Sequence, residues 1–262
     1  MTTFTEHKQG TFSWIELATK DAAQAKKFYG ELFGWSFEDM PAGPDLIYSM
    51  CNIGGKHVGA LYQMGAEMAK EVPPHWDSYV TVNDVDATTK KVAPAGGKVV
   101  KEPFDVLDVG RMSVVQDPTG ATLCLWQAKK HIGASIKDDP GTLCWNEVYT
   151  SNVDRAGKFY SEVLGWKLDP VDMGPMGVYT LFKAPGVEDS VGGMMGITKD
   201  MGDVPSHWCA YIATNDVDAS AKKATDLGGT IMVPPTDIPN IGRFSIVSDP
   251  GGAMFALYKN MH

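Results

Sequence analysis

Two kinds of hydrophobic pattern alternate along the first part of the chain. Residues 13–17 (SWIEL) and 78–82 (SYVTV) are short, mainly apolar stretches of the kind that form strands. Between them, Asp21 can cap a helix in which large apolar side chains recur at i, i+4 spacing. Gly34 is predicted to end this helix in the left-handed conformation. The pattern predicts a strand followed by a helix.

The same pattern then occurs again. Asp84 can cap a second helix, which the pair Gly96-Gly97 is predicted to end. Strands are predicted at 111–116 and 121–127, and residues 117–120 (DPTG) form the turn between them. The repeating unit is therefore a strand, a helix and several further strands.

The whole first half recurs in the second half. Three segments repeat in the same order: 13–35 as 144–166 at an offset of 131 residues, and 75–87 as 207–219 and 110–121 as 242–253 at an offset of 132. This near-constant offset indicates two homologous halves. We predict a first domain over residues 1–130, a polar linker with Gly and Pro over 131–141, and a second domain over 142–262. The four predicted modules, two in each domain, span about residues 11–64, 76–127, 142–197 and 208–259.

Composition argues against several classes of partner. With 23 basic and 32 acidic residues, the chain carries a formal net charge of -9, which repels the phosphates of nucleic acids. No stretch approaches the roughly 18 apolar residues of a spanning helix, and the N-terminal sequence lacks the pattern of a secretory signal. The chain has four cysteines without CxxC spacing: Cys51, Cys124, Cys144 and Cys209. Their spacing does not indicate a metal or redox motif, and we interpret them as reduced thiols. We expect a cytoplasmic protein that binds neither nucleic acid nor a membrane.

The ordered motifs resemble those of one superfamily. AAQAKKFYGELFGW and RAGKFYSEVLGW, the two NDVDA helix starts, and the DPTGA and DPGGA turns together resemble the vicinal oxygen chelate superfamily. That superfamily includes glyoxalase I, extradiol dioxygenases and bleomycin-resistance proteins, and the resemblance covers nearly the whole chain. It implies an α+β fold in which four βαβββ modules form two cup-shaped, mixed and mostly antiparallel sheets, each around a ligand cavity.

The resemblance also points to positions where metal ligands are expected. Metal-dependent members place His, Gln or Glu on the first strand of each module and Glu on the last strand, facing the cup. The matching positions hold Trp14, Asp77 and Cys124 in the first half, and Trp145, Cys209 and Ala256 in the second. Because Trp and Ala cannot donate a lone pair to a divalent cation, we predict no metal cofactor at the usual site.

A rearranged divalent-metal site is the alternative. Side chains two residues apart on a strand share a face, so other residues of the same strands can point into the cup. The candidate ligands of such a site are Glu16 with His75, and Glu147 with His207.

Glu16 and Glu147 interrupt otherwise apolar strands, WIEL and WNEV. A carboxylate buried there without a partner would cost several kcal/mol. One interpretation is a salt bridge to Arg111 or Arg243. The other is a carboxyl that faces the cavity, has a raised pKa and accepts a substrate proton. On the second interpretation, Glu16 and Glu147 are candidate catalytic residues.

Aromatic side chains occupy positions where related proteins hold metal ligands, which favours stacking of a small organic molecule over chelation. The predicted ligand-binding residues are Trp14, Asp77, Tyr79, Cys124 and Trp126 in the first half, and Trp145, Cys209, Tyr211 and Tyr258 in the second. We expect the partner to be a small aromatic or carbonyl-containing molecule, and the protein to be a monomer or a homodimer.

Three functions stay open on the sequence. The favoured one is small-molecule binding of the glyoxalase and bleomycin-resistance type, which sequesters a drug or toxic metabolite without turnover. The second is a metal-dependent lyase or dioxygenase of the glyoxalase kind, whose activity a chelator would abolish. The third is a structural or assembly role in which one or both cups have closed, so that no ligand-sized cavity is left.

Overall fold

The computed structural model describes residues 3–43, 46–174 and 177–261. The first half contains β1 (Phe12–Thr19), α1 (Ala22–Phe33), β2 (Ser36–Gly43), β3 (Leu46–Ile53), β4 (Lys56–Gln63), α2 (Met68–Glu71), β5 (His75–Thr81), α3 (Val85–Thr89), β6 (Lys98–Val106), β7 (Gly110–Gln116) and β8 (Thr122–Ala128). The second half contains β9 (Leu143–Thr150), α4 (Val153–Leu164), β10 (Lys167–Asp172), β11 (Val178–Lys183), β12 (Gly192–Gly196), a 3₁₀ turn (Lys199–Met201), β13 (His207–Ala213), α5 (Val217–Asp226), β14 (Thr230–Ile238), β15 (Gly242–Ser248) and β16 (Met254–Asn260).

Within the described residues, each half forms one eight-stranded mixed sheet. The strand orders are β2-β3-β4-β1-β5-β8-β7-β6 and β10-β11-β12-β9-β13-β16-β15-β14. The two modules of a half meet where their first strands pair antiparallel, β1 with β5 and β9 with β13. The modules therefore pair within each half, a choice that the sequence left open. The predicted α+β fold with two cup-shaped sheets is confirmed.

The long helix of each half begins and ends as its sequence predicts. Asp21 adopts an extended backbone and accepts a hydrogen bond from the amide of Gln24, and Gly34 ends α1 in the left-handed conformation with φ of 75°. Asn152 and Gly165 do the same for α4. These local signals were sufficient to fix both ends of each helix.

The helix predicted from Asp84 to Gly96-Gly97 is wrong in its extent. The structure ends α3 at Thr89 and continues in turns, whereas the equivalent α5 runs through ten residues. Thr89 is β-branched and bonds its hydroxyl to the carbonyl of Val85, and Pro94 has no amide hydrogen to continue the ladder. The second half has neither feature at the matching positions, so its helix is longer.

The repeated DPTGA and DPGGA turns also join the two halves. Asp117 accepts hydrogen bonds from its own turn, including one of 2.7 Å from the amide of Thr119, and its second oxygen accepts one of 2.9 Å from the Tyr160 hydroxyl in the other half. Asp249 likewise accepts a hydrogen bond of 3.0 Å from the Tyr29 hydroxyl. Because both contacts are buried and reciprocal, they hold the halves against each other around a shared core.

Two smaller apolar clusters lie on the opposite faces of the sheets, one in each cup. The alternation of side chains along β1 shows this division: Ile15 and Leu17 join the shared core, whereas Trp14 joins the first cup. No helix in the described ranges has the length and apolar character needed to cross a membrane.

Candidate functional site

The central strands of the first sheet bring the predicted site residues together. Trp14 on β1 pairs with Tyr79 on β5, and Tyr79 pairs with Cys124 on β8. Two residues further along β1, Glu16 pairs with Asp77. Because paired residues on adjacent strands point to the same face of a sheet, these five side chains share the first cup.

The second sheet repeats this register. Trp145 pairs with Tyr211, which pairs with Ala256, and Glu147 pairs with Cys209. Each cup therefore has an aromatic row beside a row that contains a carboxyl. The carboxyl rows of the two cups differ in one residue: Asp77 faces Glu16 in the first half, and Cys209 faces Glu147 in the second.

A chain of hydrogen bonds from tryptophan through tyrosine to glutamate occurs in both cups. Trp14 Nε1 donates to the Tyr48 hydroxyl at 3.1 Å, and this hydroxyl donates to Glu16 Oε2 at 2.5 Å. In the second half, Trp145 Nε1 donates to the Tyr179 hydroxyl at 2.9 Å, which donates to Glu147 at 2.6 Å. The chain orients each carboxylate by a charge-assisted hydrogen bond.

Sequence reasoning missed Tyr48 and Tyr179, although a signal was present. The two tyrosines differ by 131 residues, the offset that relates Trp14 to Trp145, and each lies on the third strand of its module. A tyrosine at the same position in both halves of the repeat was sufficient to identify these two residues.

The carboxyl of Glu16 is partly buried and lies beside a second acid. Burial, followed by the negative charge of Asp77, raises the pKa of Glu16 from 4.5 to about 7, against the opposing hydrogen bond from Tyr48. Such a carboxyl exchanges a proton near neutral pH and has the properties of a general acid or base.

Glu147 is more deeply buried, with 6% of the residue exposed. Burial raises its pKa, while hydrogen bonds from the hydroxyls of Tyr179, Tyr149 and Tyr211 act in the opposite direction. The three phenols provide the polar environment that an isolated carboxylate at this position would lack.

Arg111 and Arg243 do not contact these carboxyls, so the structure excludes the interpretation of Glu16 and Glu147 as salt-bridge partners of these arginines. Arg111 Nε lies 2.7 Å from the Asp86 carboxylate, and Arg243 Nε lies 2.7 Å from that of Asp218. The arginines stand on β7 and β15, three strand spacings or about 14 Å from the glutamate strands. The distance between the arginines and the glutamates could not be predicted from the sequence, because the order of strands in each sheet differs from their order along the chain.

The histidines named for a rearranged metal site have other contacts. His75 Nε2 lies 3.4 Å from the Asp77 carboxylate, and the ring of His207 stacks on Tyr149 with 5.2 Å between centroids. In the described part of the chain, no group of three or more His, Cys, Asp or Glu side chains is placed to hold a metal ion. These residues do not fit the divalent cation that metal-dependent proteins of this fold imply, and we assign no chemical step to a metal.

The first cup is covered by residues 131–136 of the linker. We call this stretch the linker segment. The His131 ring packs edge-on against Trp14 with 4.7 Å between centroids, and the His131 carbonyl accepts a hydrogen bond of 3.0 Å from Trp126 Nε1. The amide of Ala134 donates to the Ser13 carbonyl at 2.7 Å. Trp14 is consequently 3% exposed, and the other residues predicted to bind ligand at this end, Tyr79, Cys124 and Trp126, are also buried.

The second cup contains a cavity of about 560 Å³. Predicted residues that line it are Trp145, Glu147, Tyr211 and Tyr258, and they are joined by Cys144, Tyr179, Leu181, Val171 and Met173. Cys209 is buried and belongs to the same apolar cluster, but it is not part of the cavity lining. The cavity has the size and the mainly apolar, aromatic lining of a small-molecule site.

Comparison with known proteins agrees with this architecture. Residues 11–125 and 142–257 each match the Glyoxalase/Bleomycin resistance protein/Dioxygenase superfamily. The chain belongs to this superfamily, and it contains two copies of the domain.

Two relatives match along nearly their whole length. A protein of Mycobacterium tuberculosis (strain CDC 1551 / Oshkosh), provisionally named glyoxylase CFP32, is 44% identical over 97% of this chain and 96% of its own. The anthracycline biosynthesis protein DnrV of Streptomyces peucetius is 34% identical over 97% and 95%. Among solved structures, the Mn(II)-bound glyoxalase of Novosphingobium aromaticivorans has a TM-score of 0.65 at 18% identity over 97% and 83%, which shows a shared fold.

Proposed function

We propose that the second cup binds a small aromatic molecule and holds it without a metal ion coordinated by the protein. The observation that carries this proposal is the cavity of about 560 Å³, which lies within the range of small-molecule sites. Trp145, Tyr211 and Tyr258 supply aromatic surfaces for stacking, and Glu147 supplies a buried polar group.

The comparisons support the ligand class. Anthracyclines are fused-ring aromatic compounds, and the relative DnrV is named for anthracycline biosynthesis. An aromatic ligand of two or more rings suits a cavity whose walls are aromatic and aliphatic on several sides. The cavity also counts against the assembly alternative for the second half, because that alternative requires a closed cup. Sequestration of a drug or a toxic metabolite is the role we propose for such binding.

Calorimetry with two naphthalene probes tests the proposal. We expect 2-naphthalenemethanol and 2-naphthaldehyde to bind the protein as purified without chelators, and elemental analysis of the same sample to find no stoichiometric divalent metal. Leu181→Trp, which fills the cavity, should abolish binding, whereas Tyr48→Phe in the first cup should leave it unchanged. Thermal melts establish that each variant is folded. The proposal is overturned if neither probe binds, or if Leu181→Trp binds like the unmodified protein.

A further inference from the structure

The cavity of the second cup has an uneven distribution of charge. Among its described lining residues, Asp138 and Lys259 are exposed at the rim and carry opposite charges, whereas Glu147 is buried at the floor. Asp138 interacts electrostatically with the neighbouring Lys137, and Glu147 is the acidic group that a ligand meets on the floor of the cavity. An anionic group placed there would be repelled by a charge that has little water to screen it.

The hydrogen-bond donors of this floor are already engaged by the protein. Trp145 Nε1 donates to Tyr179, and the Tyr179 hydroxyl donates to Glu147. The hydroxyls of Tyr149 and Tyr211 lie 3.1 Å apart, so that one donates to the other and the second proton is available to Glu147. A ligand carbonyl finds no free donor in this set, so a carbonyl-containing probe would bind through its aromatic ring alone.

The acceptor capacity of the floor, by contrast, suits a cation. A carboxylate offers two oxygens with about four acceptor sites, so that Glu147 can receive a further donor beside its tyrosine hydroxyls. The aromatic rings of Trp145, Tyr179, Tyr211 and Tyr258 line the same cavity. Aromatic faces attract ammonium groups, and aromatic cages of this kind recognise organic cations.

We propose that the aromatic ligand carries a protonated amine, which the carboxylate of Glu147 and the surrounding aromatic rings receive. This inference rests on the proposed function and specifies the charge of its ligand. Three features of the structure act together: the buried carboxyl, the aromatic lining and the donors that are already used. The overall charge of -9 adds a field that attracts cations to the protein.

A matched series of probes tests the charge of the ligand. At pH 7.5, 2-naphthylmethylamine, 2-naphthalenemethanol and 2-naphthoate present the same ring with a positive, neutral and negative substituent. Calorimetry should show that the amine binds at least about tenfold more tightly than the alcohol, with the naphthoate weakest. Glu147→Gln keeps the size of the side chain but removes its charge, so it should abolish the preference for the amine over the alcohol. Glu16→Gln, the matched variant in the first cup, should alter neither affinity.

The outcomes separate this inference from the proposed function. If the alcohol or the naphthoate binds as tightly as the amine, or if Glu147→Gln keeps the preference for the amine, the cation inference is overturned and the binding site remains. If none of the three probes binds, the proposed function fails together with the inference. Alcohol binding by Glu147→Gln, measured in the same series together with a thermal melt, establishes that the variant is folded and keeps its cavity.

Discussion

Trp14 and Trp145 occupy equivalent positions in the two cups, and both donate a hydrogen bond to an equivalent tyrosine. Trp14 is nevertheless buried under the linker segment, whereas Trp145 is partly exposed and lines a cavity. The strands therefore set the chemistry of each floor, and a segment outside the sheet sets access to it. In the first half, that segment packs on Trp14 and makes it part of a buried cluster.

The carboxyls of the two cups also differ in their partners. Glu16 faces Asp77, so that the first cup holds a pair of acids. The Asp77 carboxylate also lies beside His75. Glu147 faces Cys209 and accepts a hydrogen bond from Tyr179, and the paired hydroxyls of Tyr149 and Tyr211 act on its carboxyl as well. The duplication has thus kept one glutamate in each half and placed it in two different electrostatic environments.

Replacing the two tryptophans should show the largest difference in stability between the two cups. Trp14→Ala is expected to lower the free energy of unfolding by about 3 to 5 kcal/mol, because it leaves a void in a buried cluster. Trp145→Ala should cost less, since part of this indole is already exposed, while both variants lose the same kind of hydrogen bond. Urea denaturation measures both losses. Equal losses would contradict the difference in burial between the cups.

The close approach of the linker segment to β1 predicts the next largest effect. A Cβ at Gly133 would lie 2.4 Å from the Ser13 carbonyl oxygen, and its φ of 109° already disfavours any other residue. Gly120 has a φ of 107° with no atom within 4 Å of its Cβ position, so Gly120→Ala reports the backbone strain by itself. Gly133→Ala should destabilise the protein by about 1 to 3 kcal/mol more than this control in urea denaturation. Equal losses in the free energy of unfolding for Gly133→Ala and Gly120→Ala would show that the linker segment is not in close contact with β1.

The carboxyl of Glu16 predicts a smaller effect that depends on pH. Its pKa is raised from 4.5 to about 7 in the folded protein, so the folded state binds more protons than the unfolded state between these values. The free energy of unfolding therefore falls as the pH rises through this window. Glu16→Gln removes this loss and should gain about 2 to 3 kcal/mol relative to the unmodified protein between pH 4.5 and 7.5.

The control for this titration is Glu6→Gln, which changes a glutamate at an exposed position. Its difference from the unmodified protein gives the effect of removing an exposed glutamate and is subtracted from that of Glu16→Gln. A corrected difference for Glu16→Gln that stays constant over the pH range would mean that burial does not penalise the ionised form of this carboxyl.

The features predictable from the sequence were those set by local chemistry or by the repeat itself. Asp21 and Gly34 act as caps because their preferences depend on their own backbone and the next few residues. The offset of about 131 residues gave the duplication, and the alternation along β1 placed Trp14 and Glu16 on one face.

The features that could not be predicted depend on contacts between distant segments. The linker segment has a polar, glycine-containing sequence typical of a connection, and nothing local shows that Ala134 would pack beside Trp14. The separation of Arg111 from Glu16 follows from strand order in the sheet, which motifs do not specify, and Arg111 instead pairs with Asp86 on α3. Tyr48 and Tyr179 could have been found from the repeat, but their bonds to the glutamates required the three-dimensional structure.

The most direct test is a crystal structure of the protein grown with 2-naphthalenemethanol. We expect one probe per chain, in the second cup and against Trp145, with the linker segment still packed on Trp14 in the first cup. A probe seated against Trp14 and Trp126, or a metal ion bound by Glu147 and Cys209, would contradict this expectation.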